Sequence, residues 1–392
     1  MRRLLLDRRS LLKYASVSGL ASLATACLSQ NAPPTSQATG SPGVGQAPGQ
    51  PQQTITWKFQ SGFSPQDVFH EMLTGWAKKV EELSGGRIKV DALPNNAVVP
   101  FTQIVDAVSS GTLDGGLAVP AYWYGKHRAI SLFGTGPAIG IDAETVLGWI
   151  YYGGGQELYD ELMQKTLKFN VQSIFFGPMP TQPLGWFKEK PITDASQFRG
   201  LKYRTVGLSA DLFTELGASV QTLAGGDIVP ALQTGRIDAA EFNNPTSDKL
   251  LGFQDIAKVL MVQSYHQPAE FLEMQVNKTK YDALPADLKA IVRYATMAQS
   301  ADMTWIFMDR NSKDLADFKA KGIQVVKTPQ SVLQAQLDAW SKIIERETTK
   351  PDTGPVFKKI YDSQRTWAQR VGTLRSDIVV DQTLATNHFF KK

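Results

Sequence analysis

The sequence predicts an α/β protein of two similar lobes, and three observations carry that reading. Strands and amphipathic helices alternate through short joints from Thr54 onward, and one helix-to-strand phrase occurs twice. The chain beyond residue 53 is also long enough to bury two separate cores.

Residues 54–59, Thr-Ile-Thr-Trp-Lys-Phe, alternate apolar and polar and predict a half-buried strand that stops at Ser61-Gly62-Phe63-Ser64-Pro65. A helix follows, with Phe69, Met72, Leu73, Trp76, Val80 and Leu83 on one stripe, ended by Ser84-Gly85-Gly86. Residues 87–93 are the next strand. Strand, helix and strand with short joints build a parallel sheet covered by helices. The repeated phrase runs over 105–116, where a helix ends on Gly111 before Leu113-Asp114-Gly115-Gly116. It returns over 230–240, ending on Gly235 before Ile237-Asp238-Ala239-Ala240. A strand precedes each copy, at 89–93 and at 219–223. Two copies of one unit predict two like lobes; coincidence between common helix-to-strand joints is the competing explanation. Farther on, 285–297 and the run Val356, Ile360, Trp367, Val371, Leu374 have helical spacing and predict outer helices bracing the lobes. A dimer contact by the last helix is the alternative.

Ahead of the lobes stands an export segment. Asp7-Arg8-Arg9-Ser10-Leu11-Leu12-Lys13 and a modest apolar stretch to Ala26 form a twin-arginine signal over 1–26, an address read by a receptor. The formal net charge of +4 belongs to this segment, where five basic residues face Asp7, so the basic balance implies neither nucleic acid nor an acidic substrate. Cys27, the single cysteine, falls at the cut. It reads as an acylated anchor, or as the neighbour of an ordinary Ala24-Thr25-Ala26 cleavage site. A lone cysteine allows no intramolecular disulfide. Residues 27–53 are uncharged and rich in Pro, Gly, Gln and Ser, the composition of a flexible tether. No later stretch is apolar enough to span a bilayer.

Several phrases resemble the solute-binding proteins of TRAP (tripartite ATP-independent periplasmic) transporters. They are Trp149-Ile150-Tyr151-Tyr152-Gly153-Gly154-Gly155, Gly185-Trp186-Phe187, Phe198-Arg199-Gly200-Leu201-Lys202-Tyr203-Arg204 and Asp238-Ala239-Ala240-Glu241. The triple glycine, His266-Gln267-Pro268 and Val276-Asn277-Lys278 resemble the branch for small 2-oxo and 2-hydroxy monocarboxylates. The resemblance covers about 54–330. It implies a two-lobed periplasmic-binding-protein-like fold with hinge strands and C-terminal helices. The implied division is lobe 1 at 54–179 with 268–330, lobe 2 at 180–267, and a helical extension at 331–392. It also implies a periplasmic protein, not an enzyme, that hands its ligand to membrane subunits.

On this resemblance Arg204 is the carboxylate-binding residue; a guanidinium meets a carboxylate with two parallel hydrogen bonds. Gln182, Glu241 and Glu273, with the backbone carbonyl of Phe242, match oxygen ligands of a cation that bridges to the substrate. A hard cation suits oxygen donors, and a 2-oxo acid chelates through a carboxylate oxygen and the adjacent carbonyl. Two glutamates and a substrate carboxylate against one arginine leave an excess of negative charge, which favours Ca²⁺, with Na⁺ open. Asn243 and Asn244 are further amide oxygens. Tyr122-Trp123-Tyr124 follows the first repeat's strand, where such sheets place ligands, and Tyr124 is taken to touch substrate. Phe63, Trp186 and Phe242 are candidates for an apolar wall. His70, His127, His266 and His388 lack metal-binding spacing, and His266 reads as structural. A secreted metal-dependent enzyme using Glu241 and Glu273 as acid and base is the alternative, against which stands the absence of a nucleophile elbow, H-E-x-x-H or P-loop. A binding component of another importer or a sensor is the second alternative.

Overall fold

The structure is a computed structural model describing residues 54–391. The signal segment, Cys27 and the tether lie outside the described residues. Among those described, eleven strands form two sheets. In chain order they are β1 (Ile55–Ser61), β2 (Ile88–Leu93), β3 (Gly115–Ala118), β4 (Val171–Phe176), β5 (Gly185–Phe187) and β6 (Lys202–Arg204). Then come β7 (Ser219–Gln221), β8 (Ala239–Ala240), β9 (Val259–Val262), β10 (Leu272–Asn277) and β11 (Gln324–Lys327).

The first sheet has the order β2-β1-β3-β10-β4 and the second β11-β9-β5-β8-β6-β7. Within each, one strand lies between its two parallel partners: β1 between β2 and β3, and β6 between β7 and β8. The next strand runs antiparallel in both, β10 beside β3 and β5 beside β8. The duplicated strand-helix-strand unit is therefore two copies of one topology. The first helix, Val68–Leu83, starts on Asp67, whose carboxylate accepts from Phe69 N, and buries Phe69, Met72, Leu73, Trp76 and Val80. Leu83, expected on that stripe, is the last residue of the helix and is 56 % exposed.

The chain first exchanges lobes from β4 to β5 and from β9 to β10. Each crossing starts on a left-handed residue, Gly177 (φ 65°) and Gln263 (φ 68°). The two crossings stand where hinge strands are expected and pair as a short antiparallel ribbon: Met179 N donates to Glu270 O (2.9 Å) and Gln182 N to Gln267 O (3.3 Å). One boundary differs from expectation. Residues 324–327, assigned to lobe 1, form β11 and pair with β9 in the second sheet. The cause is the helix Ala286–Ala320, whose 35 residues carry the chain about 50 Å, from one lobe to the other. Thr296 accepts from Trp76 Nε1 of lobe 1 (2.9 Å), and Asp314 and Asp317 each pair with Lys249 of lobe 2 (2.8 Å).

Two outer helices complete the brace. Gln330–Thr348 packs on lobe 2, where Trp340 Nε1 donates to Tyr265 O (2.7 Å). Gly354–Ile378 returns to lobe 1, where Trp367 Nε1 donates to Thr145 O (3.0 Å) and Arg375 pairs with Asp142 (2.8 Å). The expected apolar stripe of that helix stops short: Phe357, Ile360 and Ala368 are buried, but Leu374 is 56 % exposed.

Candidate functional site

A small cavity, with about 20 Å³ of free space, lies where the lobes and the ribbon meet. Lobe 1 supplies Phe63, Phe69, Val119 and Tyr122; the ribbon supplies Met179, Gln182, Gln267 and Glu270; lobe 2 supplies Arg204, Val206, Phe242 and Asn243. It lies at the carboxyl ends of the parallel strands, the usual ligand position in such sheets. Its free volume of about 20 Å³ holds little more than a water, so even a small acid enters only as the lobes part.

Arg204 ends β6 and is 1 % exposed. Its Nε and Nη2 donate to Leu223 O (3.0 and 2.8 Å), and its Nη1 donates to Glu241 Oε1 (2.9 Å) and Glu241 O (3.1 Å). These bonds use four of the five N–H groups of the guanidinium, so the fork is aimed rather than free. The Phe242 ring lies under it, 5.5 Å from the guanidinium carbon. Glu241 follows β8 and is fully buried; burial raises its carboxyl above the usual range, against Arg204 and the Thr205 hydroxyl, which act the other way.

The ribbon contributes oxygen. Gln182 Oε1, Gln267 Oε1 and Glu241 Oε2 are buried without a hydrogen-bond donor. Glu270, 1 % exposed, accepts from Gln267 Nε2 (2.7 Å) and from its neighbour Phe271 N (3.3 Å). Its carboxyl is pushed well up, by burial first and by the charges of Glu241 and Glu273 as well. Orphaned acceptors in a dry pocket are costly unless a donor or cation meets them. Asn243 is already engaged: its Nδ2 donates to Met179 Sδ (2.9 Å) and its Oδ1 accepts from Asn244 Nδ2 (2.6 Å).

The structure brings Arg204, Gln182, Phe242, Asn243 and Phe63 to the cavity and sets Glu241 beside it; Glu273, Tyr124, Trp186 and Asn244 do not line it. Glu273 is buried on β10 with its carboxylate taken by Trp123 Nε1 (2.8 Å), Tyr159 Oη (2.8 Å) and Ser173 Oγ (2.6 Å), away from the cavity wall. Glu270, three residues earlier and still in the ribbon, faces the cavity instead. Tyr124 is only half-buried and stacks under Arg128 at 5.5 Å, while Tyr122 lines the cavity. The 120–123 segment is a 3₁₀ turn, in which residues two apart point to different sides. Trp186 lies in the lobe 2 core, donating to Asp248 (2.7 Å). His266 is buried, bonded to Ser264 Oγ (2.7 Å) and lowered to about 3 by burial and by Arg204, a structural residue off the cavity wall. Sequence reasoning missed Gln267 and Glu270, although His266-Gln267-Pro268 pointed at the segment. Among the described residues no cluster of three His, Cys, Asp or Glu side chains forms a metal site, so amide oxygens must complete any cation shell here.

Residues 59–350 match the model of bacterial extracellular solute-binding protein family 7. The chain is 30 % identical over 332 residues to a monocarboxylate 2-oxoacid-binding periplasmic protein of Nostoc sp., covering 81 % of this chain and 88 % of that one. A TRAP solute-binding protein of Colwellia psychrerythraea with bound calcium and pyruvate superposes with TM-score 0.78 at 28 % identity, covering 86 % of this chain and all of that one. Another, from Pseudoalteromonas atlantica with sodium and pyruvate, has the same score, identity and coverage. A dimeric relative from Bordetella bronchiseptica, with calcium and picolinate in one site, reaches 0.80 at 28 % identity, covering 86 % of this chain and 98 % of that one. All are binding proteins of transporters, not enzymes. With its twin sheets, crossing ribbon and interlobe cavity, the chain belongs to extracellular solute-binding protein family 7 and is a TRAP-type solute-binding protein.

Proposed function

We propose that this protein captures a small 2-oxo or 2-hydroxy monocarboxylate of pyruvate or lactate size, together with a cation, and delivers it to the membrane subunits of a TRAP transporter. The observation that carries the reading is the buried Arg204–Glu241 pair, set against three donorless oxygens around the small interlobe cavity. Arg204 recognises the acid group. Gln182, Glu241, Glu270 and the carbonyl of Phe242 hold the cation, which supplies positive charge for the substrate's two chelating oxygens. A bound cation would displace the protons that burial favours on Glu241 and Glu270, and these carboxylates with the substrate's outweigh Arg204, which favours Ca²⁺ over Na⁺. The related proteins with calcium or sodium beside pyruvate support either ion. Residues from both lobes and the ribbon touch the ligand together, so binding favours the closed cleft. In the same reading the twin-arginine segment exports the chain to the periplasm, Cys27 anchors it by lipid, and a second copy of the chain is a partner.

Calorimetric titration with pyruvate, lactate and longer 2-oxo acids, with and without chelator, tests the core of this reading. Tight binding that chelation abolishes and Ca²⁺ or Na⁺ restores is expected. Binding indifferent to chelator removes the cation, and conversion of any acid to product removes the binding-protein role. Glu270→Gln should weaken cation dependence. Cys27→Ala should move the protein from the membrane to the soluble fraction.

A further inference from the structure

We propose that Gly134 is the positioning residue for the Glu270 carboxylate, and that Gln364 of the helix Gly354–Ile378 holds Gly134 in place. Gly134 follows the 3₁₀ segment Arg128–Phe133 of lobe 1. A Cβ there would stand 2.5 Å from Glu270 Oε1, 3.3 Å from its Cδ and 3.5 Å from Oε2. The whole carboxylate therefore lies over the bare α-carbon, in the space that any side chain at 134 would fill. Its hydrogen bonds come from Gln267 Nε2 (2.7 Å) and Phe271 N (3.3 Å), both of its own segment. Gly134 is a restraint from far away in the chain.

The turn around Gly134 is itself fixed from several sides. Gly134 N donates to Ser131 O (3.2 Å), and Gly136 N donates to Gly134 O (2.8 Å). Phe133 packs on Trp149 and Tyr159, with ring centroids 5.1 and 4.6 Å apart. From the outer helix Gln364, 3 % exposed, donates through Nε2 to Leu132 O (2.8 Å). The void lined by Gly134, Pro268, Ala269 and Gln364 has about 10 Å³ of free space, about the least that a water needs. With so little room to recoil, a methyl at 134 would drive the Glu270 carboxylate out of its place and toward the cavity.

The helix Gly354–Ile378 is thus more than a brace, because it reaches the cavity wall through Gln364, Leu132, Gly134 and Glu270 in turn. Where Glu270 holds the cation, the place of its carboxylate sets how well the oxygen shell closes. Residues that orient a ligand from behind typically govern about 10–100-fold in metal affinity. This role rests on the reading of Glu270 as a cation ligand; the packing of Gly134 against it does not.

A double-mutant cycle on the mature chain tests both levels. Without ligand, Gly134→Ala should lower the melting temperature, and adding Glu270→Ala should restore most of the loss, because the methyl then meets nothing. A cost that lies in the backbone at 134 would be the same in both backgrounds, so equal losses overturn the proposal. A Gly134→Ala chain that folds only when Glu270→Ala accompanies it supports the proposal. In calorimetric titration with pyruvate, Gly134→Ala should raise the Ca²⁺ concentration for half-maximal binding by about tenfold, and Gln364→Leu by a smaller factor. Neither should add to the effect of Glu270→Ala; additive losses overturn the positioning role. If Glu270→Ala leaves the Ca²⁺ requirement unchanged, the cation role of Glu270 is overturned, and the melting cycle still decides whether Gly134 seats its carboxylate.

Discussion

The two lobes share one strand order yet give the cleft opposite chemistry. In lobe 1 the ends of β1 and β3 lead to Phe63, Val119 and Tyr122, an apolar wall. In lobe 2 the equivalent ends, of β6 and β8, carry Arg204 and Glu241, the buried ion pair. The third strands differ in the same sense. Gly115 and Gly116 leave no room for a side chain, since an added Cβ would stand 2.1 Å from Phe59 and 2.4 Å from Ile104, whereas lobe 2 has Ala239 and Ala240. One topology thus positions loops in the same place twice, and the residues at the strand ends decide what each loop does. On the proposed function, a ligand clamped between the lobes meets recognition by charge on one side and selection by size on the other.

Four experiments break or sharpen that division, from the largest expected effect to the smallest. Arg204→Ala should abolish acid binding and lower stability by about 3–5 kcal/mol, because Glu241 would stay buried without its partner. Arg204→Lys, which keeps charge but loses the fork, should retain stability better than affinity. Calorimetry and thermal melting would read both; normal binding by Arg204→Ala would end the charge assignment to lobe 2.

The second concerns Asp67, where the lobes touch through the Ser247 hydroxyl (3.1 Å). Burial raises this carboxyl from its ordinary 3.8 to about 7, against bonds from Phe69 N and Ser247. Asp248 nearby is likewise raised to about 7, by burial first and by the charges of Glu241 and Asp67. An unfolded Asp67 loses its proton near pH 4, while the folded one keeps it toward pH 7. The stability tied to its neutral form is therefore whole below pH 4 and lost as pH rises to about 7. Asp67→Asn keeps the helix cap. It should leave the melting temperature at pH 4 nearly unchanged and raise it at pH 8, by a few kcal/mol of stability. Equal shifts at both pH values would refute this.

Third, Gly207 of lobe 2 has φ 62°, and a Cβ there would stand 2.0 Å from Thr135 Oγ1 of lobe 1. Gly207→Ala should hold the lobes apart and weaken binding fivefold to thirtyfold, from about 1–2 kcal/mol of left-handed strain plus the clash. Small-angle scattering with ligand should show a more open particle. Last, Phe63→Leu in the lobe 1 wall should shift preference toward longer 2-oxo acids by about fourfold per methylene, from ~0.8 kcal/mol each. Loss of all binding instead would mean that lobe 1 also recognises the acid group.

Much of this fold is legible in local sequence. The stripe from Phe69 to Val80 and the repeat at Gly111 and Gly235 depend on helical spacing and on turn residues, which neighbours along the chain set. Arg204 was visible because a whole phrase surrounds it. Glu273 and Glu270 were not separable, since which carboxyl meets the cavity depends on where the ribbon ends and β10 begins to pair with β3 and β4. Gln267 gave no sign, because an amide becomes a candidate ligand only when burial leaves its oxygen without a donor.

The sequence by itself determined the alternation of strands and helices, the duplicated unit, the confinement of the net positive charge to the first 26 residues and the phrase that surrounds Arg204. These rest on short-range periodicity and residue chemistry. Tertiary structure alone decided that β11 crosses to lobe 2, that Tyr122 rather than Tyr124 faces the cavity, and that Glu270 rather than Glu273 does. Each of those outcomes follows from pairing or burial between segments far apart in the chain, and no local pattern encodes which oxygen is left in a dry pocket without a partner.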